Sequence, residues 1–77
     1  MNERELKIKQ YYEAEGWRML RGGAPDFIAL KVNGEGEIQE FMGVEVKPTN
    51  GSLSYEQAIY KRIFQQATIK YIVEVVP

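Results

Sequence analysis

Glu45 and Lys47 lie two positions apart in the stretch Gly-Val-Glu-Val-Lys at residues 43–47. The valines of this stretch predict a β-strand, and successive side chains of a strand point to opposite faces of its sheet. Glu45 and Lys47 would therefore share one face, while Val44 and Val46 point from the other face into the core. An acid and a base fixed side by side on a core strand could do chemistry together.

A second acid, Asp26, follows the Gly-Gly-Ala-Pro break at residues 22–25 and enters the next predicted strand. A hairpin centred near residues 34–36 would bring Asp26 and Glu45 onto adjacent strands, within a residue or two of register. Two facing carboxylates repel each other and lose hydration, so a cation between them would stabilise the pair, and Lys47 would add a further positive charge on the same face.

The chain has no histidine and no cysteine, so any metal ion must be held by oxygen ligands. Oxygen ligands suit hard cations such as Mg²⁺, Mn²⁺ or Ca²⁺, and Mg²⁺ needs only one or two protein carboxylates besides water and substrate oxygens. An aspartate, a glutamate and a nearby backbone carbonyl can meet that need. The residues therefore predict a divalent-metal site.

The elements that would position these residues follow from the hydrophobic pattern. Their order is helix, three strands, helix, strand, which predicts an α/β fold with a mixed sheet flanked by helices. The predicted bounds are a helix at 2–15 that ends before Gly16, strands at 17–21, 26–32 and 38–47, a helix at 54–67 and a strand at 69–76.

The second helix should begin with a capping box, since Ser54 is followed three residues later by Gln57. Its apolar residues have the spacing of a core-facing stripe: Ala58, Ile59, Ile63, Phe64 and Ala67. The last strand, at 69–76, is predicted to be buried.

Length and composition predict a single domain spanning residues 1–77 with a thin core, since a chain of 77 residues buries only about 60–65% of the surface that its unfolded form exposes. The charged N-terminal segment and the lack of a long apolar run predict an intracellular, cytoplasmic protein. The net charge is −1, which by itself does not indicate nucleic-acid binding, although bound divalent cations would reverse the sign of an acidic site.

The pair Pro25-Asp26, followed by Glu45-Val46-Lys47, resembles the motif of the PD-(D/E)xK nuclease superfamily. The stretches GGAPDFIAL and GVEVKPTNGSLSYEQ, at residues 22–30 and 43–57, are similar to its VRR-NUC branch, the virus-type replication-repair nucleases. In that branch a leucine-serine-x-x-glutamine segment starts a helix, as Leu53, Ser54 and Gln57 would here. The opening ERELKI is similar to the first helix of archaeal Holliday junction resolvases, which carries a catalytic glutamate. Glu3 matches the position of that glutamate, and Glu5 is the alternative.

The resemblance implies a restriction-endonuclease-like core and a metal-dependent endonuclease acting on DNA. Asp26, Glu45 and the carbonyl of Val46 would hold Mg²⁺ or Mn²⁺, and Glu3 would reach the metal through water or complete a second metal site. Lys47 would orient or deprotonate the attacking water, and Gln57 would orient Lys47 or a phosphate.

The resemblance also implies branched DNA, such as a Holliday junction or a flap, as the substrate. A catalytic core this short leaves little protein for gripping DNA, which favours a homodimer. A two-fold dimer would present two active sites to two strands, as paired incision of a junction requires.

Other interpretations remain open at this point. The chain could be a non-catalytic nucleic-acid-binding or assembly protein that retains the nuclease fold, or a structural module in which Glu45 and Lys47 form a solvated ion pair contributing about 0–1 kcal/mol. Asp26 could be a turn residue, Gln57 a capping residue alone, and Glu3 an acid favoured by the helix dipole.

Overall fold

The computed structural model describes all 77 residues of the chain. The elements are, in chain order, α1 (Glu3–Ala14), β1 (Arg18–Arg21), β2 (Phe27–Val32), β3 (Ile38–Lys47), α2 (Tyr55–Gln66) and β4 (Tyr71–Val75). This order and the mixed sheet confirm the predicted α/β fold. Neither helix has the length and apolarity needed to cross a membrane.

Both helices begin with a capping box. In α1, Asn2 is the N-cap and exchanges hydrogen bonds with Glu5, and in α2, Ser54 and Gln57 do the same, as the sequence predicts. These bonds satisfy backbone N–H groups that the first helical turn would otherwise leave free. Gly16, with φ 91°, takes the left-handed conformation that glycine adopts easily and so allows the chain to leave α1.

The four strands form one sheet in the order β1-β2-β3-β4. β1, β2 and β3 are antiparallel neighbours, whereas β4 runs parallel to β3 after the crossover through α2. In the β2–β3 hairpin, Phe27 is opposite Val44. This register places Asp26, the residue before β2, next to Glu45, the residue after Val44.

The core lies between α1 and one face of the sheet. Phe27, Ala29 and Val44 are fully buried there, and Ile8 and Tyr12 of α1 cover them. The alternation along β3 therefore has the predicted sense: Val44 and its like-facing neighbours point to α1, and the charged residues point to the other face.

Two predictions of burial are wrong. α2 has no buried residue, and Ile63 of its apolar stripe is 51% exposed. The stripe shows that this helix has a face able to pack, and Phe64 of α2 packs against Gly43 and Tyr71, but most residues of the helix stay exposed. The last strand is not buried either: β4 is an edge strand with a single neighbour, and its residues are half-buried or exposed.

Candidate active site

Asp26 and Glu45 are joined by two reciprocal hydrogen bonds between side chain and backbone. The N–H of Asp26 donates to Glu45 Oε2 at 3.0 Å, and the N–H of Val46 donates to Asp26 Oδ2 at 2.8 Å. The β2–β3 register makes this possible, because each acid lies beside the backbone of the other strand. The two carboxylates that the sequence singles out are therefore neighbours, and each is fixed by the main chain.

Glu45 is the only charged side chain in the interior, with 0% of its surface exposed. Burial raises the pKa of Glu45, and the nearby charge of Asp26 raises it further, while the hydrogen bond from the Asp26 backbone and the charge of Lys47 act in the opposite direction. Lys47 lies at the end of β3 with its Nζ 3.7 Å from Glu45 Oε1. A cation bound here would relieve the cost of keeping this buried carboxylate ionised.

Gln57 connects α2 to the acidic pair. Its Oε1 accepts a hydrogen bond from the N–H of Ser54 at 2.8 Å, which closes the capping box, and its Nε2 donates to Glu45 Oε1. The predicted capping role of Gln57 is therefore present, and the same side chain also contacts Glu45. Its partner in the site is Glu45, and no hydrogen bond joins it to Lys47. The capping box thus fixes the start of α2 and also orients the buried carboxylate.

The structure does not bring Glu3 into this group. Glu3 lies exposed in the first turn of α1, the helix that packs on the opposite face of the sheet, and its side chain forms no hydrogen bond or ion pair. No three acidic residues lie close enough together to hold a metal ion. The alternative, Glu5, accepts the N–H of Asn2 in the capping box. A part for Glu3 at the metal remains a prediction.

Gly43 allows α2 and β4 to close against the site. A Cβ atom at this position would lie 2.8 Å from Cε2 of Phe64, 3.0 Å from Cδ2 of Tyr71 and 3.1 Å from Cγ of Pro25. Such distances are too short for any side chain, so the close approach requires glycine. A glycine within a predicted strand is a signal of close backbone approach, and the sequence interpretation did not use it.

Tyr71, the first residue of β4, is a further polar group of this region that the sequence interpretation missed. Its hydroxyl is buried and has no hydrogen-bond partner in the protein. Burial raises the pKa of Tyr71 to about 12, and the charges of Glu45 and Asp26 contribute to the increase. No motif marks this residue, because it joins the site through the parallel pairing of β4 with β3.

The donor atoms of the site fit a hard divalent cation. Every candidate ligand is an oxygen atom: the carboxylates of Asp26 and Glu45 and the carbonyl of Val46. Asp26 Oδ1 accepts no hydrogen bond within the protein, and burial raises the pKa of the Glu45 carboxyl group beside it. Two carboxylates with water and substrate oxygens match the coordination that Mg²⁺ prefers.

The element order and the mixed sheet are those of a nuclease-like core. Residues 2–76 match the family model of the VRR-NUC domain, so the chain belongs to the VRR-NUC domain family, a family of nucleases. This match confirms the resemblance noted in the sequence. Neither a comparison with curated proteins nor one with solved structures found a match to the chain.

Proposed function

We propose that this protein is a divalent-metal-dependent endonuclease that hydrolyses phosphodiester bonds of DNA inside the cell, with a preference for branched DNA such as a Holliday junction or a flap. One observation carries the proposal. Asp26 and Glu45 are held together on adjacent strands, and Lys47 lies 3.7 Å from Glu45, in a chain of the VRR-NUC family.

Asp26, Glu45 and the Val46 carbonyl would hold Mg²⁺ or Mn²⁺. When bound, the cation would neutralise charge on the scissile phosphate and lower the pKa of a water molecule. Glu3 would contribute through water or at a second metal position, which requires α1 to approach the site more closely at its N-terminus. Glu3 forms no cluster with Asp26 and Glu45 in the structure.

The remaining side chains have separate tasks in the proposed reaction. Lys47, the last residue of β3, would orient the attacking water and stabilise negative charge that develops on the phosphate. Gln57 would hold the Glu45 carboxylate in place through its amide, and the N–H of Val46 would do the same for Asp26. Positioning of this kind lowers the barrier because the groups need no rearrangement during the reaction.

The proposal includes a homodimer. The face of the sheet that carries Glu45 also carries an apolar group formed by Leu20, Ile28, Leu30 and Phe41, which we call the open sheet face. Leu20 is 53% exposed and Phe41 is 47% exposed. A stable interface buries about 800 Å² on each partner, and an apolar face next to the site could supply part of that area from a second copy.

The experiment uses a labelled four-way junction, a flap and a plain duplex, each with Mg²⁺, with Mn²⁺ and with chelator. Glu45→Ala and Lys47→Ala should each lower the cleavage rate by at least about 100-fold. Glu40→Ala, on the exposed part of β3, is the matched control and should cleave like the wild type.

The substrate that is cut fastest identifies the preferred DNA structure. Absence of cleavage of all three DNAs, with binding to DNA intact in chelator, would contradict the proposal. It would favour the alternative, a nucleic-acid-binding or assembly protein that retains the nuclease fold.

A further inference from the structure

The ring of Tyr71 is fixed in one position beside the acidic pair. Tyr71 is opposite Gly43 in the parallel β3–β4 pairing, and its side chain points to the same face of the sheet as Glu45. The ring packs edge-on against Phe64, with 5.3 Å between ring centroids, and lies against Gly43. The hydroxyl therefore has little freedom to turn toward another partner.

This hydroxyl differs from the other buried tyrosine hydroxyl of the chain. Tyr12, on the opposite face of the sheet, donates to Glu74 Oε1 at 2.8 Å. The hydroxyl of Tyr71 is buried, yet no protein atom accepts its hydrogen bond. Buried polar groups in native proteins are nearly always hydrogen-bonded, so an isolated one indicates a partner outside the polypeptide.

The charges around Tyr71 determine what that partner can be. Burial and the charges of Glu45 and Asp26 raise the pKa of Tyr71, so the hydroxyl keeps its proton and acts as a donor at neutral pH. Glu45 already accepts hydrogen bonds from Gln57 and from the backbone of Asp26. A neutral donor next to an acidic metal site is suited to an oxygen atom of a molecule bound there.

We propose that Tyr71 is a positioning residue of the candidate active site, whose hydroxyl donates a hydrogen bond to an oxygen of the water or phosphate bound beside Asp26 and Glu45. This inference rests on the proposed function. The Tyr71 hydroxyl would add a neutral hydrogen-bond donor from β4 to a site that already contains Asp26, Glu45 and Lys47. It also gives a reason for the glycine at position 43, which lets the ring reach the site.

The test compares Tyr71→Phe with Tyr12→Phe, which removes a buried hydroxyl that has a partner in the protein. Thermal unfolding is followed in chelator and in Mn²⁺, and Mn²⁺ binding is measured by calorimetry. In chelator, Tyr71→Phe should be at least as stable as the wild type, because it removes an unsatisfied donor. In Mn²⁺ it should gain less stability than the wild type if the partner of the hydroxyl is water at the metal, and equal stability if the partner is a phosphate oxygen of DNA. Tyr12→Phe should lose the same stability in both conditions and bind Mn²⁺ like the wild type.

Two measurements distinguish water from phosphate as the partner of the hydroxyl. If the partner is water, Tyr71→Phe should weaken Mn²⁺ binding by about threefold to tenfold in the absence of DNA. If it is a phosphate oxygen, Mn²⁺ binding should be unchanged, and the affinity for DNA in Ca²⁺ should fall by a similar factor. In either case kcat should fall while Tyr12→Phe keeps the wild-type value.

The outcomes separate this inference from the proposed function. Equal Mn²⁺ affinity, DNA affinity and kcat in Tyr71→Phe and the wild type would overturn the role of Tyr71 and leave the nuclease proposal intact. An equal loss of stability with and without Mn²⁺, as for Tyr12→Phe, would also overturn it. If the wild type neither binds Mn²⁺ nor cleaves DNA, the proposed function fails and the inference fails with it.

Discussion

At the scale of single residues, Glu45 combines full burial with a charge. Its carboxylate accepts hydrogen bonds from the Asp26 backbone and the Gln57 amide, and the Lys47 ammonium forms an ion pair with it at 3.7 Å. Burial nevertheless outweighs these groups and raises its pKa. In the absence of metal, the site therefore binds a proton more readily than an ordinary glutamate does.

The raised pKa of Glu45 predicts how stability depends on pH. Between the ordinary value of 4.5 and the raised value, the folded protein binds more protons than the unfolded chain, so the contribution of Glu45 becomes less favourable as pH rises. In chelator, the free energy of unfolding of the wild type relative to Glu45→Gln should therefore increase as pH is lowered from 8 toward 5. Chemical denaturation over this range measures the difference.

Glu40→Gln is the control for the pH experiment, since it removes an exposed carboxylate from the same strand. The difference in free energy of unfolding between Glu40→Gln and the wild type should vary little over this pH range. If the difference in free energy of unfolding between the wild type and Glu45→Gln is independent of pH, the raised pKa of Glu45 is contradicted.

At the scale of elements, the site is built where three packing relations meet. The hairpin register brings Asp26 to Glu45, the capping box of α2 brings Gln57 to Glu45, and the close approach at Gly43 allows α2 and β4 to pack there. The first relation joins residues 19 positions apart through one hairpin, the second joins residues 12 positions apart, and the third depends on the crossover through α2.

Gly43→Ala should therefore weaken both the fold and the site. The new methyl group would overlap Phe64 and Tyr71, and overpacking of this kind costs about 1–3 kcal/mol of stability. Gly34→Ala is the matched control, because a Cβ at Gly34 would meet no atom within 4 Å. Denaturant unfolding of the two variants measures the cost. Wild-type stability in Gly43→Ala would contradict the close packing at this position.

The separation along the chain between contacting residues explains which features the sequence could predict. The order of elements, the bounds of β3 and the capping box at Ser54 depend on local pattern, and the structure confirms them. The meeting of Asp26 and Glu45 follows from the register of one hairpin. The exposure of α2 and the edge position of β4 depend on how distant segments pack. Tyr71 enters the site through such a packing relation, so no local pattern could reveal it.

At the scale of the whole molecule, the core is small and one-sided. Only 11 of 77 residues are buried, and they lie mostly between α1 and the sheet. The single surface pocket, of about 170 Å³, is lined by Tyr55, Ala58, Ile59 and Arg62 of α2 and does not include the acidic pair. The candidate site is therefore not this pocket, and its acid Glu45 is buried within the fold.

The open sheet face predicts the oligomeric state. In the proposed homodimer, Phe41→Glu would place a charge within the interface, so this variant should be a monomer in light scattering where the wild type is a dimer. Leu6→Glu, at an exposed apolar position of α1, is the control and should keep the wild-type mass. A monomeric wild type, or a dimer that Phe41→Glu leaves intact, would contradict this interface.

The central claim is that Asp26 and Glu45 form a metal site for cleavage of DNA. The most direct test is the rate of cleavage of the preferred DNA in Mn²⁺ under single-turnover conditions, for the wild type, Asp26→Asn and Glu40→Gln. Asp26→Asn removes one carboxylate charge with little change in shape, so cleavage should fall by at least about 100-fold while Glu40→Gln cleaves like the wild type. Cleavage by Asp26→Asn at the wild-type rate, or by the wild type in chelator, would contradict the claim.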